Sequence, residues 1–370
     1  MKNITEINPF KLSHKKTSFG VITRLQVEFG VSTKDGITFD DKTLLANYIY
    51  DKDGLYNVIY TIVDTNGNVQ SFIEDEGVLP TFFLNPHNRV FVSVQPYDPD
   101  NPNRNFEINI PVFSRENTDI PKGNRPFVGE FIGVYKNFSV LHDDFSNSWD
   151  DNKPDKLQFI EFKNEKIKKK HNKKIPLPKN NRVYISNDEV HLLAHTKTGW
   201  LHRAVDEKAL ILKERLINVG NDSFWQILTL SFNANSYILC QKEGKVVIKE
   251  ISPKDKIRDI HLIDFHDIFY GVCKPVEISE NTFVMNFTTE LGNGWFTIKN
   301  NELVEFFYGK NLKGYKNLLT NEVLEMDFES LIISSIHKTT LNSYAVVFYC
   351  RTDKGYENKE LLILNRENVC

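Results

Sequence analysis

The segment HLIDFHD places His261, Asp264, His266 and Asp267 within seven positions. Imidazole and carboxylate are ligand types for zinc or iron, and a His–Asp pair can also move protons. His261, Asp264 and His266 are therefore the first catalytic candidates. The competing reading is an incidental polar connection between two strand-rich units. A second cluster, HLLAHTKTGWLHR, holds His191, His195 and His202. On a strand, positions i and i+4 share a side but lie ~13 Å apart at ~3.3 Å per residue, too far to share one metal. Flanking turn residues argue for strands, so these histidines are expected to be packed or solvated rather than ligating.

The stretch HDDFSNSWDDNKPD carries Asp143, Asp144, Asp150, Asp151 and Asp155. Oxygen-rich loops bind calcium, but the order of an EF-hand loop is missing. The four residues Asp143, Asp144, Asp150 and Asp151 stand as metal candidates against a plain solvated acidic loop, one suited to a basic partner. A basic run follows at once, with Lys163, Lys166, Lys168, Lys169, Lys170, Lys173 and Lys174 against Glu165. Such a run can meet phosphate backbones, yet it holds no aromatic residue for base stacking. Lysines on an outer strand also keep a sheet edge from pairing with other chains, and that is the favoured reading. Trp200, Trp295 and Tyr356 each follow a turn glycine. They are expected either to offer aromatic contact surface to a partner or to cap the packing between units. Asp64–Asn68, DTNGN, reads as an Asn-Gly hairpin rather than a calcium loop. No GxSxG elbow, P-loop, HExxH or dinucleotide fingerprint occurs, and no cofactor is expected.

The elements that must position these residues come from the repeat pattern. Four stretches share one form: LLAHTKTGWLHRA, YILCQKEGKVVIKE, VMNFTTELGNGWFTI and AVVFYCRTDKGYENKELLIL. Each is an apolar run, a polar turn with Gly, then a second run. Their glycines, Gly199, Gly244, Gly294 and Gly355, lie 45, 50 and 61 positions apart. Upstream of each is a second, Asn-bearing turn, near Asn187, Asn233, Asn281 and Asn342. Two hairpin signals at fixed offset, recurring about every fifty residues, mark a repeated four-stranded unit. Extended backward, the first-turn positions fall near 53, 88, 137, 187, 234, 281 and 342, which makes seven units.

Composition agrees: 370 residues with 27 Phe and 14 Tyr suit many half-buried strands. A lone four-stranded sheet cannot cover both faces, whereas radial stacking covers them and leaves short edges. The chain thus resembles a β-propeller, an all-β fold, of about seven four-stranded blades. It lacks the Gly-His and Trp-Asp marks of WD repeats and the double glycine of kelch repeats. The expected organisation is one propeller over 1–370 with a poorly structured segment 1–20. The alternative is a β-sandwich over 1–120 and a five-bladed propeller over 126–370, divided at the Pro- and Asn-rich residues 96–125.

The net charge of −3 gives no pull toward nucleic acid or anionic membrane, apart from the lysine run. Cys240, Cys273, Cys350 and Cys370 form no CxxC pair and read as free thiols. The start carries no apolar signal core, and no stretch approaches 18 apolar residues, so a cytoplasmic location is expected, with a virion as alternative. The expected function is a non-enzymatic protein-interaction module or scaffold, its partner another protein. The alternatives are a central-funnel hydrolase or lyase and a structural component of a large assembly such as a virion or secretion machine.

Overall fold

Strands dominate the chain because its Phe-, Val- and Ile-rich runs are buried on both faces and are broken by Asn, Asp and Gly at turns. The structure is a computed structural model. It describes residues 5–366 apart from 27–30, 40–41, 51–55, 65, 75–77, 97–103, 110–113, 118–128, 144–155, 164–165, 176–180, 219–223, 273, 311–313, 326–330, 340 and 351–359.

In chain order the first strands are β1 (Thr5–Ile7), β2 (Lys11–Thr17), β3 (Gly20–Gln26), β4 (Val31–Phe39), β5 (Lys42–Tyr50), β6 (Tyr56–Asp64) and β7 (Val69–Glu74). Next come β8 (Val78–Leu84), β9 (Val90–Pro96), β10 (Arg104–Asn109) and β11 (Ser114–Asn117). The third group is β12 (Glu130–Tyr135), β13 (Phe138–Asp143), β14 (Lys156–Lys163) and β15 (Lys166–Lys174). The fourth is β16 (Asn181–Ser186), β17 (Glu189–Thr196), β18 (Gly199–Val205) and β19 (Ile211–Ile217). The fifth is β20 (Phe224–Thr229), β21 (Ser236–Lys242), β22 (Lys245–Ile251) and β23 (Ile257–Asp264). The sixth runs from β24 (Phe269–Val272) and β25 (Val276–Ser279) through β26 (Thr282–Thr289), β27 (Gly292–Lys299) and β28 (Glu302–Lys310) to β29 (Gly314–Asn317) and β30 (Val323–Glu325). The last strands are β31 (Leu331–Lys338), β32 (Tyr344–Cys350) and β33 (Glu360–Arg366).

These strands form seven antiparallel sheets among the described residues. Their first strands touch in succession, β4 against β8, β8 against β12, β12 against β16, β20 against β24 and β31 against β4. Each of the seven sheet-to-sheet junctions holds its own apolar cluster. Phe159 and Leu192 meet between the third and fourth sheets, and Leu239 and Phe287 between the fifth and sixth. The arrangement is a β-propeller. Residues 130–366, with β2 and β3, supply five sheets, the count of the alternative reading; residues 5–7 and 31–117 supply the other two.

The last sheet has the order β2-β3-β33-β32-β31, so strands from both ends of the chain share it. This corrects the expectation that residues 1–20 are poorly structured: β2 is a seven-residue strand paired along its length with β3. Its burial is low because it is the outermost strand, and its polar sequence LSHKKT therefore reads as a tail. Gly20, at φ +141°, lies so close to β33 that a Cβ there would fall 1.9 Å from the Asn365 carbonyl oxygen. Glycine is the residue that permits this approach.

The Asn-bearing turns are where the sequence puts them. Asn88, Asn187, Asn281 and Asn342 all hold the left-handed conformation; Asn88, Asn187 and Asn342 lie between β8 and β9, β16 and β17, and β31 and β32, and Asn281 lies between β25 and β26. The position near 53 is the exception. It falls between β5 and β6, the second and third strands of that sheet, and not between the first and second. Asp64–Asn68 forms a turn closed by the Asp64 carboxylate, which accepts the backbone N–H groups of Asn66 and Asn68 at 2.9 Å, with Gly67 at φ +83°.

Candidate functional site

The first strands line the channel of the propeller, and their side chains there need not fill a core. Four successive first strands or their extensions each present one long polar side chain: Glu130 on β12, Arg182 on β16, Gln226 on β20, and Lys274 between β24 and β25. With Gly129, Ile132, His142, Asp143, Val183, Tyr184 and Val272 they bound a cavity of about 510 Å³. That volume lies in the range of small-ligand pockets.

Glu130, Arg182 and Lys274 are exposed to channel water, whereas Gln226 is buried. The Arg182 Nη1 donates to Gln226 Oε1 at 3.4 Å, linking two neighbouring sheets. The Lys274 Nζ donates to the Ile132 carbonyl at 3.1 Å, joining the sixth sheet to the third. The Lys274 residue is exposed along its length, yet protein surrounds its ammonium and limits its solvation. That desolvation pushes its pKa down, opposed by the charge of Glu130. The half-buried Asp143 is pushed the other way. Burial raises its pKa, against the Gln158 amide, which donates to its Oδ2 at 3.3 Å. Burial also raises the Tyr184 hydroxyl, with the Arg182 guanidinium opposing. A raised acid and a lowered base on one cavity are the arrangement that acid–base chemistry uses.

The other sequence candidates lie elsewhere. His261 and Asp264 sit on β23, the outermost strand of its sheet, as an exposed pair 3.3 Å apart. His266 is exposed in the connection that follows, packed near Gly244. None of the three lines the channel cavity. Of the aspartates, Asp143 belongs to the cavity, while Asp144, Asp150 and Asp151 lie outside the described residues. Among the described residues no cluster of three or more His, Cys, Asp or Glu could hold a metal. Trp200 is half-buried beside His195, with ring centroids 4.9 Å apart. Trp295 is 1% exposed and stacks on Phe307 at 4.5 Å, so it packs a junction between sheets and presents no surface to a partner. Tyr356 lies outside the described residues. Apart from Lys163, which ends β14, the lysine run lies on β15, an outermost strand, where Lys168 pairs with Glu161 at 2.8 Å. Cys240 is a buried free thiol.

His191 and His202 meet across two strands, a contact that same-strand spacing could not suggest. The His191 Nε2 donates to the Ser186 carbonyl at 3.0 Å, so its Nδ1 accepts from His202 Nε2, also at 3.0 Å. The His202 Nδ1 in turn accepts from Arg215 Nε at 3.0 Å. Phe232 stacks on His202 at 4.2 Å. Both imidazoles are held neutral. Burial lowers His202 to about 2, helped by His191 and Arg215, and burial lowers His191 as well. Burial lowers His337, on β31, to about 4.

A pH dependence follows from the sign of these shifts. Unfolded histidine titrates near 6.5, so below that pH the unfolded chain binds protons the folded protein refuses. Their stabilising effect is complete above about 6.5 and is lost progressively as pH falls toward the folded values. Each imidazole contributes a slope of up to about 1.4 kcal/mol per pH unit. The urea midpoint is expected to fall steeply between pH 6.5 and 5, above the range of ordinary carboxylates. A flat midpoint across that window would contradict the neutral buried imidazoles.

No family model matches the chain, and no curated protein matches it. Among solved structures it is similar to the β-propeller domain of the Trilobed protease from Pyrococcus furiosus, with 10% identity and TM-score 0.52 over 90% of this chain and 93% of that one. This likeness shows the propeller fold. A catalytically inactive virginiamycin B lyase from Staphylococcus aureus with quinupristin aligns at 10% identity and TM-score 0.44, over 96% and 99% of the two chains. Prolyl oligopeptidase B from Galerina marginata, bound to a 25mer macrocyclization substrate, aligns at 12% identity and TM-score 0.46, over 92% of this chain and 52% of that one. No helix among the described residues is long and apolar enough to cross a membrane.

Proposed function

We propose that the protein is a channel enzyme, a hydrolase or lyase acting on a small polar substrate in the cavity between β12, β16, β20 and β24. One observation carries this reading: Asp143 and Lys274 line the same cavity with their protonation displaced in opposite directions. A lowered lysine offers more neutral amine to take a proton from a substrate carbon or an attacking water. A raised carboxyl offers more acid to return a proton to the leaving group. In this reading the charge candidates are the channel residues and not the exposed pair on β23.

The test is turnover of a library of small hydrolase and lyase substrates, followed by mass spectrometry. Asp143→Asn and Lys274→Gln are each expected to lower kcat by about 10²- to 10⁴-fold with unchanged circular dichroism. Turnover equal to wild type in both variants would sink the reading, and so would a library left untouched.

A second reading, the interaction module, draws support from β19. Leu210 just before it, and Ile211, Leu212 and Leu216 on it, are exposed on an outermost strand that carries no lysine run like that of β15. Exposed apolar residues on an open edge invite another protein. Light scattering of wild type and of Leu212→Lys with Leu216→Lys decides whether this edge makes contacts. Equal monomeric profiles, together with equal recovery of co-purifying protein, would argue against it.

A further inference from the structure

We infer that the channel cavity recognises a compact zwitterion, a molecule with a carboxylate at one end and an ammonium at the other, of the amino-acid or short-peptide class. This deepens the channel-enzyme reading and rests on it. The argument is the way charge is sorted over the cavity wall. Carboxylates come only from the third sheet, as Glu130 at the start of β12 and Asp143 at the end of β13. Cationic Arg and Lys side chains come only from the fourth and sixth sheets, as Arg182 and Lys274, with the Gln226 amide beside the guanidinium. The two signs thus originate on different blades, with the Lys274 side chain reaching across to the Ile132 carbonyl of the third sheet.

A simple anion drawn to Arg182 meets the Glu130 carboxylate, and a simple cation drawn to Glu130 meets the Arg182 guanidinium. A dipolar ligand satisfies both walls at once. A guanidinium and a primary amide side by side offer several N–H donors to a carboxylate. The Glu130 carboxylate offers acceptors to an ammonium, which is donor-only. Because Glu130, Asp143 and Arg182 stand on paired strands, their backbone positions are set before the ligand arrives. A cavity of about 510 Å³ accommodates a dipeptide with water to spare.

The experiment is calorimetric titration of the whole chain with alanyl-alanine, its N-acetyl form, its C-terminal amide and the doubly capped form, with glycine as the short-dipole control. Alanyl-alanine is expected to bind, and each cap to weaken binding about ten- to hundredfold. Arg182→Met should erase the penalty of the amide cap, and Glu130→Gln that of the acetyl cap. Both side chains are exposed to the channel, so these variants are expected to fold; Lys274→Gln serves as a second test of the carboxylate side. Glycine binding as well as alanyl-alanine would assign the site to free amino acids, within the same inference. Equal affinity for the doubly capped form would overturn the zwitterion inference while leaving a ligand site in the channel. Absence of binding by every probe at millimolar concentration would also overturn it. The channel-enzyme reading itself stands or falls separately, on the turnover of the Asp143 and Lys274 variants.

Discussion

Glu305→Ala is expected to cost about 2–4 kcal/mol of stability, from leaving the partly buried Arg366 charge without its counter-ion and two buried hydroxyls without their acceptor. Glu305 lies on β28, 6% exposed, facing the sheet that closes the ring. Its Oε1 accepts from Arg366 Nε at 3.0 Å and Nη2 at 2.9 Å, and its Oε2 from the Tyr344 hydroxyl at 2.8 Å and the Thr297 hydroxyl at 2.9 Å. Arg366 also donates to the Phe19 carbonyl at 3.1 Å. One carboxylate therefore ties the sixth sheet to both ends of the chain. Burial, and then the Glu305 charge, keep the Tyr344 hydroxyl protonated and able to donate. Removing the carboxylate strands the Arg366 charge and two hydroxyl donors. Glu305→Gln keeps an acceptor for the hydroxyls and should lose less than the alanine variant. Urea unfolding checks both; an alanine variant within about 0.5 kcal/mol of wild type would contradict the stabilising role of the cluster.

Trp295→Ala should cost about 3–5 kcal/mol, as large-to-small changes of buried aromatics do. The indole sits among Phe307, Tyr315 and Phe348, with ring centroids at 4.5, 5.0 and 5.8 Å. Its Nε1 donates to the Tyr344 hydroxyl at 3.0 Å, so the same deletion disturbs the group that serves Glu305. Trp295→Phe keeps most of the ring packing and loses the N–H, a loss of about 1–3 kcal/mol. A surface aromatic offered to a partner would behave differently: its alanine variant would keep full stability and lose binding. Thermal unfolding of the two variants separates these outcomes.

The parts of this fold legible from sequence are those fixed by local chemistry. Asn88, Asn187, Asn281 and Asn342 mark their turns because asparagine tolerates the left-handed backbone they need. β15 announces itself as an edge because its lysines suit no buried strand. What failed depends on partners distant in sequence. β2 looks like a tail because its pairing to β3, and of β3 to β33, is not encoded in its own polarity. Trp295 and Trp200 both follow a turn glycine, yet the first is core and the second half-buried, a difference set by the neighbouring sheet. The channel residues were missed for a related reason. Glu130, Arg182, Gln226 and Lys274 lie about one blade length apart, but at no shared residue type, so only the repeat register relates them. His191 and His202 pair across strands, where spacing along the chain carries no information.

The sharing of one sheet by both chain ends has a consequence for the order of synthesis. Arg366 and Phe19, which touch in the finished ring, are 347 positions apart. At ribosomal rates of ~5–20 residues per second, the β2–β3 hairpin waits roughly 20–70 s for β33 to be made. During that interval its inner edge is open to any extended segment, including one from a neighbouring nascent chain. The ring is thus completed only once β33 has been made, and the time spent waiting for it is when a chaperone has most to protect.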